Sequence, residues 1–323
     1  MRNLQDFSQW DAAVAHYLAN RRAFGRCYQT EEKILRWLRQ YLVTVGVTDL
    51  NADIFDRWRK TFRHLNSNTR RGREIAVYKF CNFRRRTDPR CFLPTPQSFA
   101  RPRPYRMPVI IEPAQIGQLL EAARALRWNA SWYPAVMRLA IVLLYTSGLR
   151  RAELARLRLE DVDAHAAVLR IRESKFHKSR WIPLSDSARR ELRQYLKVRR
   201  TTPNGSCPSA PLLYNGRGTL DCYTSQGVYN ALARLCKAAN IRSSDGRIPR
   251  VVDFRHSFAV GALLRWYENG EDVQANLPKL ALYMGHVSII STAHYLRCMP
   301  AVIAQASQRF ERSYGALIRT GAA

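Results

Sequence analysis

The sequence predicts a mainly α-helical protein in two domains, with one small β-sheet in the second. Three observations carry that expectation. Apolar residues recur at helical spacing over most of the chain. β-branched residues run or alternate around a polar turn in one stretch only. Five prolines between residues 91 and 108 divide the helical segments into two groups.

The first group, residues 1–92, opens with helical periodicity from Phe7 to Arg21. It continues from Glu31 to Val43, where Ile34, Leu35, Leu38, Tyr41 and Leu42 share a stripe. Asp53 to His64 and Arg73 to Arg84 are two further expected helices. Arg70, Arg71, Arg73, Arg84, Arg85 and Arg86 gather near the last of them and would give a compact bundle a basic face, the alternative being a solvated stripe. The stretch CFLPTPQSFARPRPYRMP follows; its prolines forbid a continuous helix, so residues 93–108 read as an extended linker containing Arg101 and Arg103.

The second domain is expected over 109–298. Pro113 to Leu126 and Tyr133 to Thr146 read as helices, the latter apolar enough for a core. Val168 to Arg172 and Arg180 to Leu184 flank a polar turn, Ser174 to Ser179, as a β-hairpin does. Helical segments follow at Ser187 to Arg199, Ser225 to Ala239, Phe254 to Glu268 and Asp272 to Met284. Residues 299–323 form a C-terminal segment, amphipathic from Pro300 to Ile318 through Val302, Ile303, Phe310 and Leu317. No internal repeat is visible.

With 323 residues the chain is long enough to bury two cores, and 46% hydrophobic residues exclude a disordered polyelectrolyte. Lys and Arg total 53 against 25 Asp and Glu, a net charge of +28. An excess of that size calls for a polyanionic partner, nucleic acid first and a membrane surface as the weaker alternative. The charge lies on both sides of the linker, with 22 basic and 9 acidic residues in positions 1–108 and 31 and 16 beyond. Two basic domains on a Pro and Arg linker suit a C-shaped clamp closing on a rod such as duplex DNA. The longest uncharged apolar run, Leu139 to Tyr145, is far short of the roughly 20 residues of a membrane span. The N-terminus lacks a signal-peptide pattern, so a cytosolic protein is expected. Seven scattered cysteines without a Cys-x-x-Cys pair point to reduced thiols, not to disulfides or zinc.

Four segments hold the residues that can carry chemistry: Thr146-Ser-Gly-Leu-Arg-Arg-Ala-Glu-Leu154, the turn around Lys175, Asp253-Phe-Arg-His256, and Gly285-His286 followed nine residues later by Tyr295. Singly, each has an ordinary explanation: a solvated arginine pair, a solubilising lysine, a tyrosine packed at a helix end. Jointly they resemble the tyrosine recombinase (phage integrase) family of site-specific DNA recombinases and transposases, and the resemblance covers the whole domain order. It implies a helical core-binding domain at 1–92 and a catalytic domain at 109–298.

The resemblance places the two catalytic arginines at Arg150, with Glu153 as its supporting partner, and at Arg255; Arg151 is a neighbour without that role. A planar, permanently charged fork suits the non-bridging oxygens of a scissile phosphate. It places the catalytic lysine at Lys175 in the hairpin turn, with Lys178 as rival, protonating the departing 5′ oxygen. His286 would donate a hydrogen bond to the phosphate, and Tyr295 would attack it to form a 3′-phosphotyrosyl ester that conserves the energy for religation. Neither cofactor nor metal is implied. Arg70, Arg71, Arg73, Arg84, Arg85, Arg101 and Arg103 are the expected DNA contacts outside the catalytic domain.

The sequence departs from the family at Val252, where a histidine usually stands, and valine cannot donate, accept or titrate. His256, one turn later on the same helix face, reads as a packing or hydrogen-bonding residue, with partial substitution as the alternative. The leading expectation is an active strand-exchange enzyme of a mobile element. It would act on double-stranded DNA in the cytoplasm with the nucleoid, as a cyclic tetramer whose C-terminal segments dock on neighbouring subunits, with accessory recombinases as further partners. The competing reading is a DNA-binding accessory protein whose chemistry Val252 weakens. An RNA-binding protein finds no aromatic stacking motif in the chain, and a type IB topoisomerase fits the length and domain order less well.

Overall fold

The computed structural model describes residues 6–25, 27–126, 131–172, 179–216, 222–286, 288–298 and 303–312. The chain divides into two compact units, residues 1–106 and 107–323.

The first unit holds helices α1 (Ser8–Ala23), α2 (Gln29–Val45), α3 (Ala52–Lys60) and α4 (Ser67–Arg84). Asn51 and Asn66 cap α3 and α4 by accepting the Ile54 and Thr69 N–H groups, each cap worth about 1 kcal/mol. The Asn66 cap starts α4 six residues before the periodicity does, and α3 ends at Lys60, short of His64. Trp10, Tyr17, Leu35, Leu38, Leu42, Phe55, Trp58 and Phe80 fill the core between the helices. Residues 93–108 are largely irregular, as their prolines require, but the first part of the stretch is seated on this unit. Glu74 accepts the Ala100 N–H at 2.8 Å, Arg71 donates to the Ala100 carbonyl at 3.2 Å and Asn68 accepts the Arg103 N–H at 2.8 Å. Phe99 is buried in the same core.

The second unit begins with α5 (Pro113–Arg124) and α6 (Tyr133–Ser147), then a short α7 (Arg151–Arg156). Strands β1 (Val162–Asp163), β2 (Val168–Ile171) and β3 (Arg180–Pro183) form an antiparallel sheet in that order, with Leu169 opposite Ile182 and Ile171 opposite Arg180. Helices α8 (Asp186–Arg200), α9 (Ser225–Ala238), α10 (Val251–Glu268), α11 (Val273–Met284) and α12 (Ile290–Cys298) complete it, and residues 303–312 are helical. α6 is apolar nearly all round and accordingly sits in the middle of the main core, Val136, Leu139, Ile141, Leu143 and Leu144 being fully buried. A second cluster joins α10, α11 and α12 through Val260, Leu263, Leu277, Leu280, Met284 and Tyr295, and fixes where Tyr295 stands.

The sequence reading lacked α7, β1 and α12. The first two span six and two residues, less than periodicity can register. Arg309 of the 303–312 helix donates to the Gly270 and Glu271 carbonyls of the same chain, while Ile303 and Phe310 stay exposed. No helix among the described residues is long and apolar enough to cross a membrane.

Candidate active site

The site is assembled from helix ends in the second unit. α6 stops at Gly148, whose φ of +58° is a left-handed conformation that a side chain would strain. α11 stops in the same way at Gly285, φ +67°. A β-carbon on Gly285 would also lie 2.8 Å from Arg180 Nη1, so two requirements select glycine there. The carbonyls at these two helix ends take the arginines. Arg255 Nη1 donates to the Gly148 carbonyl at 2.5 Å and Nη2 to the Met284 carbonyl at 2.7 Å. Arg150 Nη2 donates to the Gly285 carbonyl at 2.6 Å. Cations at the negative ends of two helices gain from the helix dipoles.

Glu153 holds the third corner. It accepts the Arg150 backbone N–H at 2.9 Å, capping α7, and Arg150 Nη1 at 2.7 Å. Arg180, from β3, donates to both its oxygens at 3.1 and 2.8 Å and, through Nε, to the Tyr283 carbonyl at 2.8 Å. Burial alone would raise the Glu153 carboxyl, but the bonds and charge of Arg180, joined by those of Arg150, outweigh it and hold it down at about 2. The same device starts α10, where Asp253, wholly buried, accepts the Arg250 N–H at 2.7 Å and its guanidinium at 2.9 Å.

The result is three guanidiniums around one carboxylate. Burial, then the charge of Arg150, pulls Arg255 down to about 9, which still leaves it protonated at neutral pH. Burial, then Arg255, Arg150 and Arg180, pushes His286 down to about 4, so its imidazole is neutral there. Its Nδ1 lies 2.7 Å from the hydroxyl of the buried Thr292, which fixes the ring. The Tyr295 hydroxyl lies 2.7 Å from His256 Nδ1, and the phenol is buried beside Arg255's helix.

Of the residues singled out in the sequence, Arg150, Glu153, Arg255, His256, His286 and Tyr295 meet here. Lys175 and its rival Lys178 fall outside the described residues. Arg151 turns away to Ser225 Oγ at 2.7 Å and to the Tyr229 ring. Val252 is exposed at 45% on the first turn of α10. In the first unit, Arg84 is committed to Asp49 at 2.6 and 2.7 Å, Arg73 lies over the Trp37 and Phe62 rings, and Arg71 serves Ala100. Arg70 is half-buried, and Arg85, Arg101 and Arg103 are exposed.

Sequence reasoning missed Arg180, Asp253 as a helix-starting carboxylate, and Thr292. For Arg180 a signal existed: it shares a strand face with the fully buried Ile182, and a cation on a core-facing position requires a buried partner.

Comparisons with known proteins identify the family. Residues 110–300 match the model of the phage integrase family. The chain is 32% identical over 312 residues to a putative integrase/recombinase of Sinorhizobium fredii, y4rB, spanning 95% of this chain and 98% of that protein. It is 29% identical over 174 residues to tyrosine recombinase XerA of Pyrococcus furiosus, spanning 53% and 54%. Its fold resembles the Tn1549 transposon integrase in complex with transposon right end DNA, at TM-score 0.63 and 18% identity over 93% of this chain and 98% of that one. It also resembles the XerH site-specific recombinase bound to its difH substrate, at TM-score 0.62 and 17% identity over 86% and 78%. A family match over more than half of the sequence, and a relative alike along its full length, establish that this chain belongs to the phage integrase family.

Proposed function

We propose that the protein cuts and rejoins double-stranded DNA through a 3′-phosphotyrosyl ester on Tyr295, as a recombinase or transposase of a mobile element. The observation that carries the reading is the convergence of Arg150, Arg255, His286 and Tyr295 from four separate helices or helix ends, with one carboxylate among the described residues, Glu153, between guanidiniums. Such a cluster carries excess positive charge, and charge builds on a phosphate's non-bridging oxygens as a fifth oxygen attacks. In this reading the arginine forks grip those oxygens, neutral His286 donates to one of them, and Lys175 protonates the 5′ oxygen as it leaves. Reversal by a 5′-hydroxyl of a second duplex exchanges strands.

The solved relatives' DNA complexes support duplex DNA as the partner, and the net charge of +28 agrees. Assembly would be a tetramer on two DNA sites, alone or with accessory recombinases, in the cytoplasm with the nucleoid. The accessory reading rests on Val252 alone, an apolar side chain exposed at the start of α10.

Covalent capture tests the proposal. The protein is incubated with a library of short, nicked duplexes of random sequence, in which the released fragment diffuses away and blocks religation. An adduct stable to denaturation, absent in Tyr295→Phe, is expected, and the trapped DNA reports the target. Capture by Tyr295→Phe at the wild-type level would refute the reading, and no adduct from the wild type would favour the accessory role.

A further inference from the structure

A phenol attacks phosphorus only as its proton departs, and the family position that would take that proton holds valine. We infer that His256 is the proton acceptor for Tyr295, a catalytic residue beyond those the resemblance names; this rests on the phosphotyrosyl reading above. The observation is direct: His256 Nδ1 lies 2.7 Å from the Tyr295 hydroxyl, across 39 residues of sequence, with the rings edge to face at 5.5 Å between centroids.

The other titratable groups described at the site are unfit for the task. Arg150, Arg180 and Arg255 are cations with no lone pair to offer. Glu153 is held at about 2 by its two guanidiniums, so it takes up a proton only in strong acid. His286 is drawn down to about 4, and its Nδ1 is engaged with Thr292. Val252 cannot titrate. His256 lies one helical turn beyond Val252 on the same face of α10, so a basic nitrogen reaches the site from the neighbouring turn.

For Nδ1 to accept, the imidazole carries its hydrogen on Nε2. The step then balances. The tyrosine oxygen forms a bond to phosphorus while its proton passes to Nδ1; the bond from phosphorus to the 5′ oxygen breaks, and that oxygen takes a proton from Lys175 or from water. On religation the imidazolium returns its proton to the phenol. Arg255 precedes it on α10, and the incoming phosphate brings negative charge to the same cluster. α12 contributes Tyr295 itself to this face; Tyr283 of α11 stacks on Phe258, and Tyr145 of α6 senses Arg265.

The test is single-turnover cleavage of a nicked duplex recovered by the covalent capture described above, with wild type, His256→Asn, His256→Ala and Tyr295→Phe, each checked for folding by its thermal midpoint and for DNA binding by titration. Asparagine preserves a hydrogen bond to the phenol but accepts no proton. The expected result is cleavage slowed by about 10²- to 10⁴-fold in both His256 variants, with DNA affinity unchanged, and partial recovery of His256→Ala on adding free imidazole. Cleavage by His256→Asn within about threefold of wild type would reduce the histidine to a positioning contact and overturn the inference. A slow His256→Ala indifferent to imidazole, with His256→Asn restored, would overturn it too. If wild type itself forms no adduct, the phosphotyrosyl reading falls, a result distinct from a fast adduct that ignores His256.

Discussion

In the unit of residues 1–106, four arginines lie beside carboxylates or over a ring: Arg84 on Asp49, Arg39 on Asp11, Arg59 on Glu74, Arg73 over Trp37. In the unit of residues 107–323, Arg150 and Arg180 share Glu153 and, with Arg255, donate to four backbone carbonyls. The two settings use one side chain for different ends. Local pairing in the first unit spends the charge on holding helices together. Backbone carbonyls in the second hold the guanidiniums in place and leave their net charge for an anion. Composition alone, which records both units as basic, cannot separate these uses; the nature of the acceptor does.

The comparison is broken most directly at Arg255. Arg255→Lys keeps the charge but loses the fork that spans the Gly148 and Met284 carbonyls, so cleavage is expected to fall by about 10²- to 10³-fold with little change in DNA affinity. Single-turnover adduct formation measures it. An equal loss of affinity and rate would mean that Arg255 only binds.

Glu153→Ala is next. Removing the one carboxylate shared by Arg150 and Arg180 leaves two cations facing each other, one of them almost buried, and is expected to cost about 3–5 kcal/mol of stability by denaturant unfolding. Arg84→Ala, by contrast, removes a pair whose Asp49 is half exposed, and is expected to cost about 1 kcal/mol or less. Similar losses at the two positions would erase the distinction between the units.

Acid sharpens the same contrast. The imidazole of His286 titrates near 4 in the fold and at its ordinary 6.5 unfolded, so the unfolded chain binds protons first and stability falls as pH drops from about 6.5 to 4. Glu153, near 2 in the fold and 4.5 unfolded, contributes stability that is lost from about 4.5 down to 2. His286→Gln should flatten the first decline and spare the second, read as thermal midpoint against pH. The smallest effects are expected at exposed Arg85, Arg101 and Arg103. If each meets one phosphate, alanine there lowers the salt dependence of DNA binding by about one unit of slope and leaves cleavage at saturating DNA intact.

The long helices were legible because their apolar stripes repeat over several turns, and the nine-residue step from His286 to Tyr295 was legible because it is local. The meeting of Tyr295 with His256 was not, since α11 must fold back between them before the two rings touch. Arg180 escaped notice because its buried partner, Glu153, lies 27 residues away, outside a four-residue strand's own pattern. The linker's prolines announced an extended chain, whereas its seating on Glu74 and Asn68 depends on polar partners about 25 to 35 residues away that no local pattern marks.

Mapping the adduct tests most directly whether Tyr295 is the nucleophile that takes the DNA phosphate. Protein captured on nicked duplex is digested with nuclease and protease, and the peptide bearing the residual nucleotide is sequenced by mass spectrometry. The account predicts a 3′-linked phosphate on Tyr295 and on no other residue. A nucleotide on Tyr283, on a serine or on His256 would contradict it.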